Sequence, residues 1–484
     1  MADRSDDTSV NEYDVIVLGA GPTGENVAGR TAKAGLKTAI VEADLVGGSC
    51  SYWACIPSKV LLRSPELLAH AKQLTGVREA VTGNIDAAAV LARRDSFTGK
   101  GDDSGQADWV RDAGITLLRG KARLSGIRKV QVTDTSGTMT LRARHAVALC
   151  VGSQPAIPDI PGLVEARPWT NREATSAEQV PGRLLVLGGG AVGCELAVAW
   201  QALGSAVHLV QRSDRLLTGY EPEISNRVEV AMRSQGVTLR TGVSVEQAER
   251  LDDGSVIVTL SDGSRLHGDE LLVAVGRIPC TTDLGMELVG LKPGDRIRTD
   301  DAMRVAGVAG DWLYAAGDCT DRAALTHMGK YQARACSDTI AAATRGELPG
   351  GGDLTPYSAY TATADHHAVP QVVFTIPQAA AVGLTEDQAR ERGVKVATVD
   401  HEIGNVTGAS LHLDGYNGYA KLVIDASREV IVGASFVGPD VAELLHAATI
   451  AVVGEIPLQR LWHAVPAFPT MSEVWLRLLE TYGL

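Results

Sequence analysis

Apolar positions along this chain fall into short continuous runs that end in glycine-rich turns, and these runs predict buried strands. The first, Tyr13–Leu18 (Y-D-V-I-V-L), leads into G-A-G-P-T-G with glycines at 19, 21 and 24 and then into a helical pattern. The next strand, Lys37–Val41, ends at Glu42. The arrangement recurs in mid-chain: Arg183–Leu187 is strand-like, G-G-G-A-V-G carries Gly188, Gly190 and Gly193, and Ala206–Val210 is the following strand. A strand and proline-rich crossing at Val147–Gly162 and a counterpart at Leu271–Pro279 bracket the second unit. Trp312–Asp318 (W-L-Y-A-A-G-D) reads as a strand ending in Gly-Asp, and Thr344–Pro356 reads as a linker. Strand patterns at Tyr419–Ile424 and Val430–Val437, with a helix around Val441–Val453, predict a closing α+β unit.

Composition narrows what these units do. The chain has 484 residues, 45% of them apolar, enough for about three domains. A formal charge of -13 and a pI near 5.4 leave no basic stripe, so no nucleic-acid partner is expected. The first twelve residues read as a flexible polar leader without an export signal. No apolar run approaches the roughly 20 residues of a spanning helix, so no membrane partner is expected and the cytoplasm is the expected location. Seven cysteines in so long a chain do not make a secreted disulfide framework. Cys150, Cys194, Cys280, Cys319 and Cys336 read as packed core thiols. Cys50 and Cys55, in G-G-S-C-S-Y-W-A-C-I-P-S-K, are the close pair.

Each strand–turn–helix unit has the chemistry of a dinucleotide site. Glycines let a pyrophosphate approach a helix N-terminus, where free N–H groups and the macrodipole favour an anion, and the carboxylate of Glu42 can accept from an adenosine ribose. In the second unit Gln211 stands where Glu42 stood, followed by Arg212 and Arg215. Loss of the carboxylate and gain of a guanidinium favour a 2′-phosphate, hence NADPH over NADH, with NADH still usable.

Over nearly its whole length the chain resembles the FAD-dependent pyridine nucleotide–disulfide oxidoreductases, the group of dihydrolipoamide dehydrogenase and the glutathione, mycothione and mercuric reductases. G-A-G-P-T-G resembles the family's FAD loop, G-G-S-C-S-Y-W-A-C-I-P-S-K its redox-disulfide segment, G-G-G-A-V-G its pyridine-nucleotide loop, A-A-G-D its second flavin contact, and Phe374–Thr385 the start of its interface domain. The resemblance implies an α/β fold of two Rossmann-like dinucleotide-binding domains plus a C-terminal α+β dimerisation domain. The implied boundaries are 13–155 and 280–350 for FAD, 156–279 for NAD(P), and 357–484 for the interface. It makes Cys50 the exchange thiol, Cys55 the flavin-facing thiolate, Lys59 and Glu195 an ion pair, and Asp318 the ribitol contact. Gly48 and Gly276 join the cofactor-binding set, and a homodimer is expected.

It also implies a Cys50–Cys55 disulfide. In a regular helix, Cα atoms five residues apart stand about 8.6 Å from each other, against the roughly 4.4–6.8 Å a disulfide needs, so the helix must be distorted or begin between them. In one respect the chain departs from the family. Disulfide-reducing members carry a histidine directly before the final Pro-Thr, oriented by a glutamate; here Phe468 precedes Pro469-Thr470, although Glu473 remains. Phenylalanine cannot return a proton to a leaving thiolate, a role worth about 10²–10⁴-fold. His463 is a candidate substitute. The C-terminal cysteine pair of mercuric reductases is not found, and no metal site is expected. Three readings stay open: electrons passing through the cysteines to an unidentified small-molecule acceptor such as a specialised disulfide, direct reduction of a quinone or metal ion by the flavin, or a non-enzymatic flavin sensor.

Overall fold

A computed structural model describes residues 11–348 and 354–484, which group into two compact units. The first comprises the residues up to 52, 98–154 and 277–365; the second comprises 53–97, 155–276 and 366–484. Residues 1–10 of the expected leader and 349–353 of the expected linker lie outside the described residues.

In the first unit, Thr116–Arg119, Thr38–Glu42, Asn11–Leu18 and Gly137–Leu149 form a sheet in that order, extended by Lys129–Asp134 and Lys121–Gly126. Leu313–Ala315 also pairs with Gly137–Leu149. The first pairings are parallel, with Val15 level with Thr38 and Ala146, as buried apolar strands joined by helical crossovers require. The first strand begins at Asn11, so the end of the expected leader belongs to the sheet. Val15 and Val17 face one apolar cluster, Ile16 and Leu18 the other, which is why the run is apolar without alternation.

The second unit repeats the device with a parallel sheet ordered Thr238–Thr241, Ala206–Gln211, Arg183–Leu187 and Glu270–Val273. It adds a three-stranded antiparallel sheet, Val245–Arg250, Val256–Leu260 and Arg265–Gly268. Its C-terminal part is a five-stranded antiparallel sheet ordered Gln371–Val373, Gln378–Gly383, Val430–Gly438, Tyr419–Asp425 and Val396–Glu402, with the helices Leu445–Val453 and Glu473–Tyr482. The predicted strands and the α+β character of this part therefore match the fold. Among the described residues no helix is long and apolar enough to cross a membrane.

Candidate functional site

In the first unit the strand Asn11–Leu18 turns through Gly19 into the helix Pro22–Lys33, whose N-cap is Gly21 and whose first residue is proline. Gly24 allows the helix to lie against the turn: a Cβ there would stand 1.8 Å from the Gly19 carbonyl oxygen. At Gly21 a Cβ would meet only the Gly48 Cα, at 4.0 Å, which leaves open space in front of the helix N-terminus. The Gly47 N–H donates to Ala20 O at 2.7 Å, so the start of the cysteine segment is tied to this turn. Glu42 accepts from the Ala20 N–H through Oε2 at 2.6 Å and from the Asp44 N–H through Oε1 at 2.8 Å, which fixes the carboxylate beside the turn. A glycine cradle open at a helix N-terminus, with a carboxylate at the next strand end, fits an adenine dinucleotide.

Elsewhere in that unit the Gly317 N–H donates to the buried Gln332 Oε1 at 2.7 Å, and Asp318 Oδ2 accepts from Ser153 Oγ at 2.8 Å. Arg277 Nε donates to the same Ser153 Oγ at 2.7 Å and stands 3.8 Å from Asp318 Oδ2. Glu25, on the first turn of the helix, is pushed up to about 7; burial is the main cause, opposed by Lys330 and reinforced by Glu42.

In the second unit the strand Arg183–Leu187, Gly188 and the helix Ala191–Ala202 reproduce the first turn; a Cβ at Gly193 would stand 1.9 Å from the Gly188 oxygen, while Gly190 faces open space. Gln211 Oε1 accepts from the Gly189 N–H at 2.9 Å, the counterpart of the Glu42 bond. Arg212 is exposed. Arg215 instead donates to Tyr220 O at 2.9 Å, Thr218 O at 3.1 Å and Ser225 Oγ at 3.2 Å, so it braces its own loop. Gly276 has φ +143° and open space where a Cβ would be.

Cys50 lies on the short helix Gly48–Tyr52, and a new helix, Cys55–Gln73, starts at Cys55. The helix break falls between the two cysteines, with Ala54 at φ -136°, ψ -98°. One turn after Cys55, Lys59 Nζ donates to Glu195 Oε2 at 2.7 Å. Glu195, only 5% exposed, also accepts the Phe374 N–H at 3.0 Å, and the Phe374 ring lies 4.9 Å from the ammonium. The spacing of Lys59 and Glu195 in sequence, 136 residues, is closed by packing of the two helices.

Phe468 is 74% exposed, as are its neighbours His463 and Val465 in kind. The Thr470 backbone presses on the helix Thr407–His412 at Gly408, where a Cβ would stand 2.1 Å from the Thr470 carbonyl carbon. Glu473 is 8% exposed; Oε1 accepts from Arg477 Nη2 at 2.5 Å, and Oε2 is buried without a hydrogen-bond partner among the described residues.

Of the scattered cysteines, Cys150, Cys194, Cys319 and Cys336 are buried and burial raises all four thiols, Cys319 to about 12. Cys280 departs from the expectation in being half-buried, with its thiol also raised by burial and drawn down by Arg277. Sequence reasoning missed Ser153, Arg277, Gln332, Asn171 and Arg172, which bear on the site only through contacts that no local motif encodes.

Residues 13–333 match the family described as pyridine nucleotide-disulphide oxidoreductase, and residues 369–478 match its dimerisation domain. The chain belongs to that family. A mercuric reductase from Staphylococcus aureus is 30% identical over 96% of this chain and 81% of its own length. A dihydrolipoyl dehydrogenase from Chlorobaculum tepidum is 32% identical over 96% of each chain. Among solved structures, the HOCl-induced flavoprotein disulfide reductase RclA from Escherichia coli superposes with a TM-score of 0.80 at 24% identity, covering 97% of this chain and 99% of that one, a likeness of fold. The protein is thus an enzyme of a family that is FAD-dependent, uses NAD(P)H and forms homodimers through its dimerisation domain.

Proposed function

We propose that this enzyme passes electrons from NADPH through FAD to a Cys50–Cys55 disulfide, and from there to a small-molecule acceptor whose reduction does not depend on a histidine acid. The observation that carries this reading is the Lys59–Glu195 pair at 2.7 Å, one helical turn beyond Cys55. Cys55 is the first residue of its helix, where the positive end of the macrodipole would favour a thiolate, and the Lys59–Glu195 pair lies one turn further on. Bound FAD would supply two-electron exchange between the nicotinamide and the dithiol. Gly19, Gly21, Gly24, Gly48 and Glu42 would hold its dinucleotide portion, and Asp318, oriented by Ser153, would meet its polyol chain. Gly188, Gly190, Gly193 and Gly276 would hold the nicotinamide dinucleotide. Arg212 is the cation for a 2′-phosphate, because Arg215 is engaged within its own loop. The three domains expected from the sequence, and a cytoplasmic location, belong to the same reading.

A second reading rests on Phe468: a side chain with no ionisable proton, exposed in the single chain, where the family's disulfide reductases carry an acid suits an acceptor, such as a quinone or metal ion, that takes electrons directly from the flavin. Anaerobic reduction by NADPH with thiol counting separates the two. The dithiol route requires two additional thiols per chain in the wild type and loss of acceptor turnover in Cys55→Ser. Undiminished turnover in Cys55→Ser establishes the direct route instead.

A further inference from the structure

The four residues between Cys50 and Cys55 include Trp53, and Trp53 is gripped on two sides by one short helix. Its carbonyl oxygen, just past the end of the helix Gly48–Tyr52, accepts from Asn171 Nδ2 at 2.6 Å, and the guanidinium of Arg172 lies 3.7 Å from its ring centroid. Asn171 is 8% exposed, so its bond is shielded from competing water, whereas Arg172 is exposed and covers the ring from outside. The gripping helix, Asn171–Ser176, is itself fixed. Thr170 and Glu173 form a capping box at its start, with the Thr170 N–H donating to Glu173 Oε2 at 2.7 Å and the Arg172 N–H to Thr170 Oγ1 at 3.1 Å. At its other end Arg94, 2% exposed, donates to Thr175 O at 3.0 Å and Ala177 O at 2.8 Å.

We propose that Asn171 and Arg172 are positioning residues for the Cys50–Cys55 pair, acting through Trp53 to restrain the turn between the cysteines and so to set the potential of the couple. This rests on the reading of Cys50 and Cys55 as a redox pair. Reduction breaks the Sγ–Sγ bond with two electrons from NADPH, and the sulfurs take up protons as thiols or remain as thiolate. In the oxidised form the covalent bond itself holds the turn. In the reduced form only non-covalent contacts do, so a gripped turn limits how far the thiols can separate and lowers the entropy cost of reclosure, while a released turn raises it. The ring face and the carbonyl are independent handles: one is a cation–π contact, the other a hydrogen bond to a carbonyl left over at a helix end.

The test is the dithiol–disulfide equilibrium of the full-length, FAD-loaded enzyme against a dithiothreitol redox buffer, read by alkylation and mass spectrometry of the Cys50–Cys55 peptide. Trp53→Ala should shift the equilibrium about tenfold toward the dithiol, about 30 mV for a two-electron couple. Arg172→Ala, at an exposed position that should fold normally, should shift it about threefold in the same direction, and Asn171→Ala about fivefold. Trp53→Phe, which keeps a ring for Arg172 and the same carbonyl, should lie near the wild type. Unchanged equilibria in Trp53→Ala and Arg172→Ala, with a reversible wild-type couple, would overturn the positioning role alone. A wild type whose two cysteines never interconvert with a disulfide would overturn this role together with the redox-pair reading.

Discussion

Replacing Phe468 with histidine is the most direct probe of the acceptor chemistry proposed for this enzyme. Within the single chain the position is 74% exposed, so the exchange removes little apolar surface from the chain's own core and should change the stability of that core by no more than about 0.5 kcal/mol. The local frame is stiff, because Thr470 packs backbone to backbone on Gly408, so a new ring keeps the course of the segment. Glu473, the glutamate that the family resemblance pairs with such a histidine, has Oε2 buried and without a hydrogen-bond partner among the described residues, while Oε1 is taken by Arg477. A positioned acid is worth about 10²–10⁴-fold when it protonates a leaving thiolate. Without optimisation of the surrounding pocket, a gain of about 10²-fold in kcat/KM for at least one small disulfide is expected, and adding Glu473→Gln should remove about tenfold of it. The assay is steady-state NADPH oxidation with glutathione disulfide, lipoamide and an aromatic disulfide, beside a quinone whose rate should not move. Brisk turnover of a common disulfide by the wild type, or a Phe468→His enzyme with no gain on any of the three, would refute the argument.

Further expectations concern the cofactor cradles and a buried acid. Gly24→Ala and Gly193→Ala should yield little folded protein, because the added Cβ would stand 1.8 and 1.9 Å from backbone oxygens, whereas Gly21→Ala, with open space, should fold and lose FAD, as flavin release on denaturation would report. Gln211→Glu with Arg212→Ala should turn the preference from NADPH to NADH in kcat/KM. The glutamate can keep the Gly189 N–H bond as Glu42 keeps that of Ala20, so the fold should be unaffected; a wild type that already prefers NADH would contradict the assignment. Glu25 carries a folded-state pKa of about 7, above its ordinary 4.5. The folded state therefore binds this proton more tightly than the unfolded chain, and stability should fall as pH rises from about 4.5 through about 7. Glu25→Gln should flatten that part of the denaturation profile, and an unchanged slope would remove Glu25 as its source.

What could be read from the chain alone was whatever is written locally. A buried parallel strand is a continuous apolar run, and a nucleotide turn needs glycines at fixed offsets, so Arg183–Leu187 and both glycine loops were legible to within a residue or two. Lys59 and Glu195 came from resemblance, since nothing near either residue signals a partner 136 positions away; the bond follows from which helices pack together. The grip on Trp53 had no signal at all. Asparagine and arginine just after a capping threonine read as an ordinary helix start, and only the fold brings that start to the turn between the cysteines.

The two arginines of V-Q-R-S-D-R mark the limit of such reading in a way that bears on function. Arg212 and Arg215 are the same residue type, three positions apart, after the same strand, and sequence alone offers both as phosphate clamps. Their fates are decided by where the chain goes next. The turn toward the helix Pro222–Ser234 brings the Thr218 and Tyr220 carbonyls and the Ser225 hydroxyl around Arg215, and a guanidinium already spread over three acceptors must give them up to bind anything else. Arg212 carries no such cost. Of the two arginines, coenzyme discrimination should therefore follow Arg212: Arg212→Ala should lower kcat/KM for NADPH with little change for NADH. Arg215→Ala should instead weaken the loop and reduce activity with both coenzymes alike. A selective loss of NADPH activity in Arg215→Ala, with Arg212→Ala silent, would reverse the assignment and imply that the loop opens when the coenzyme binds.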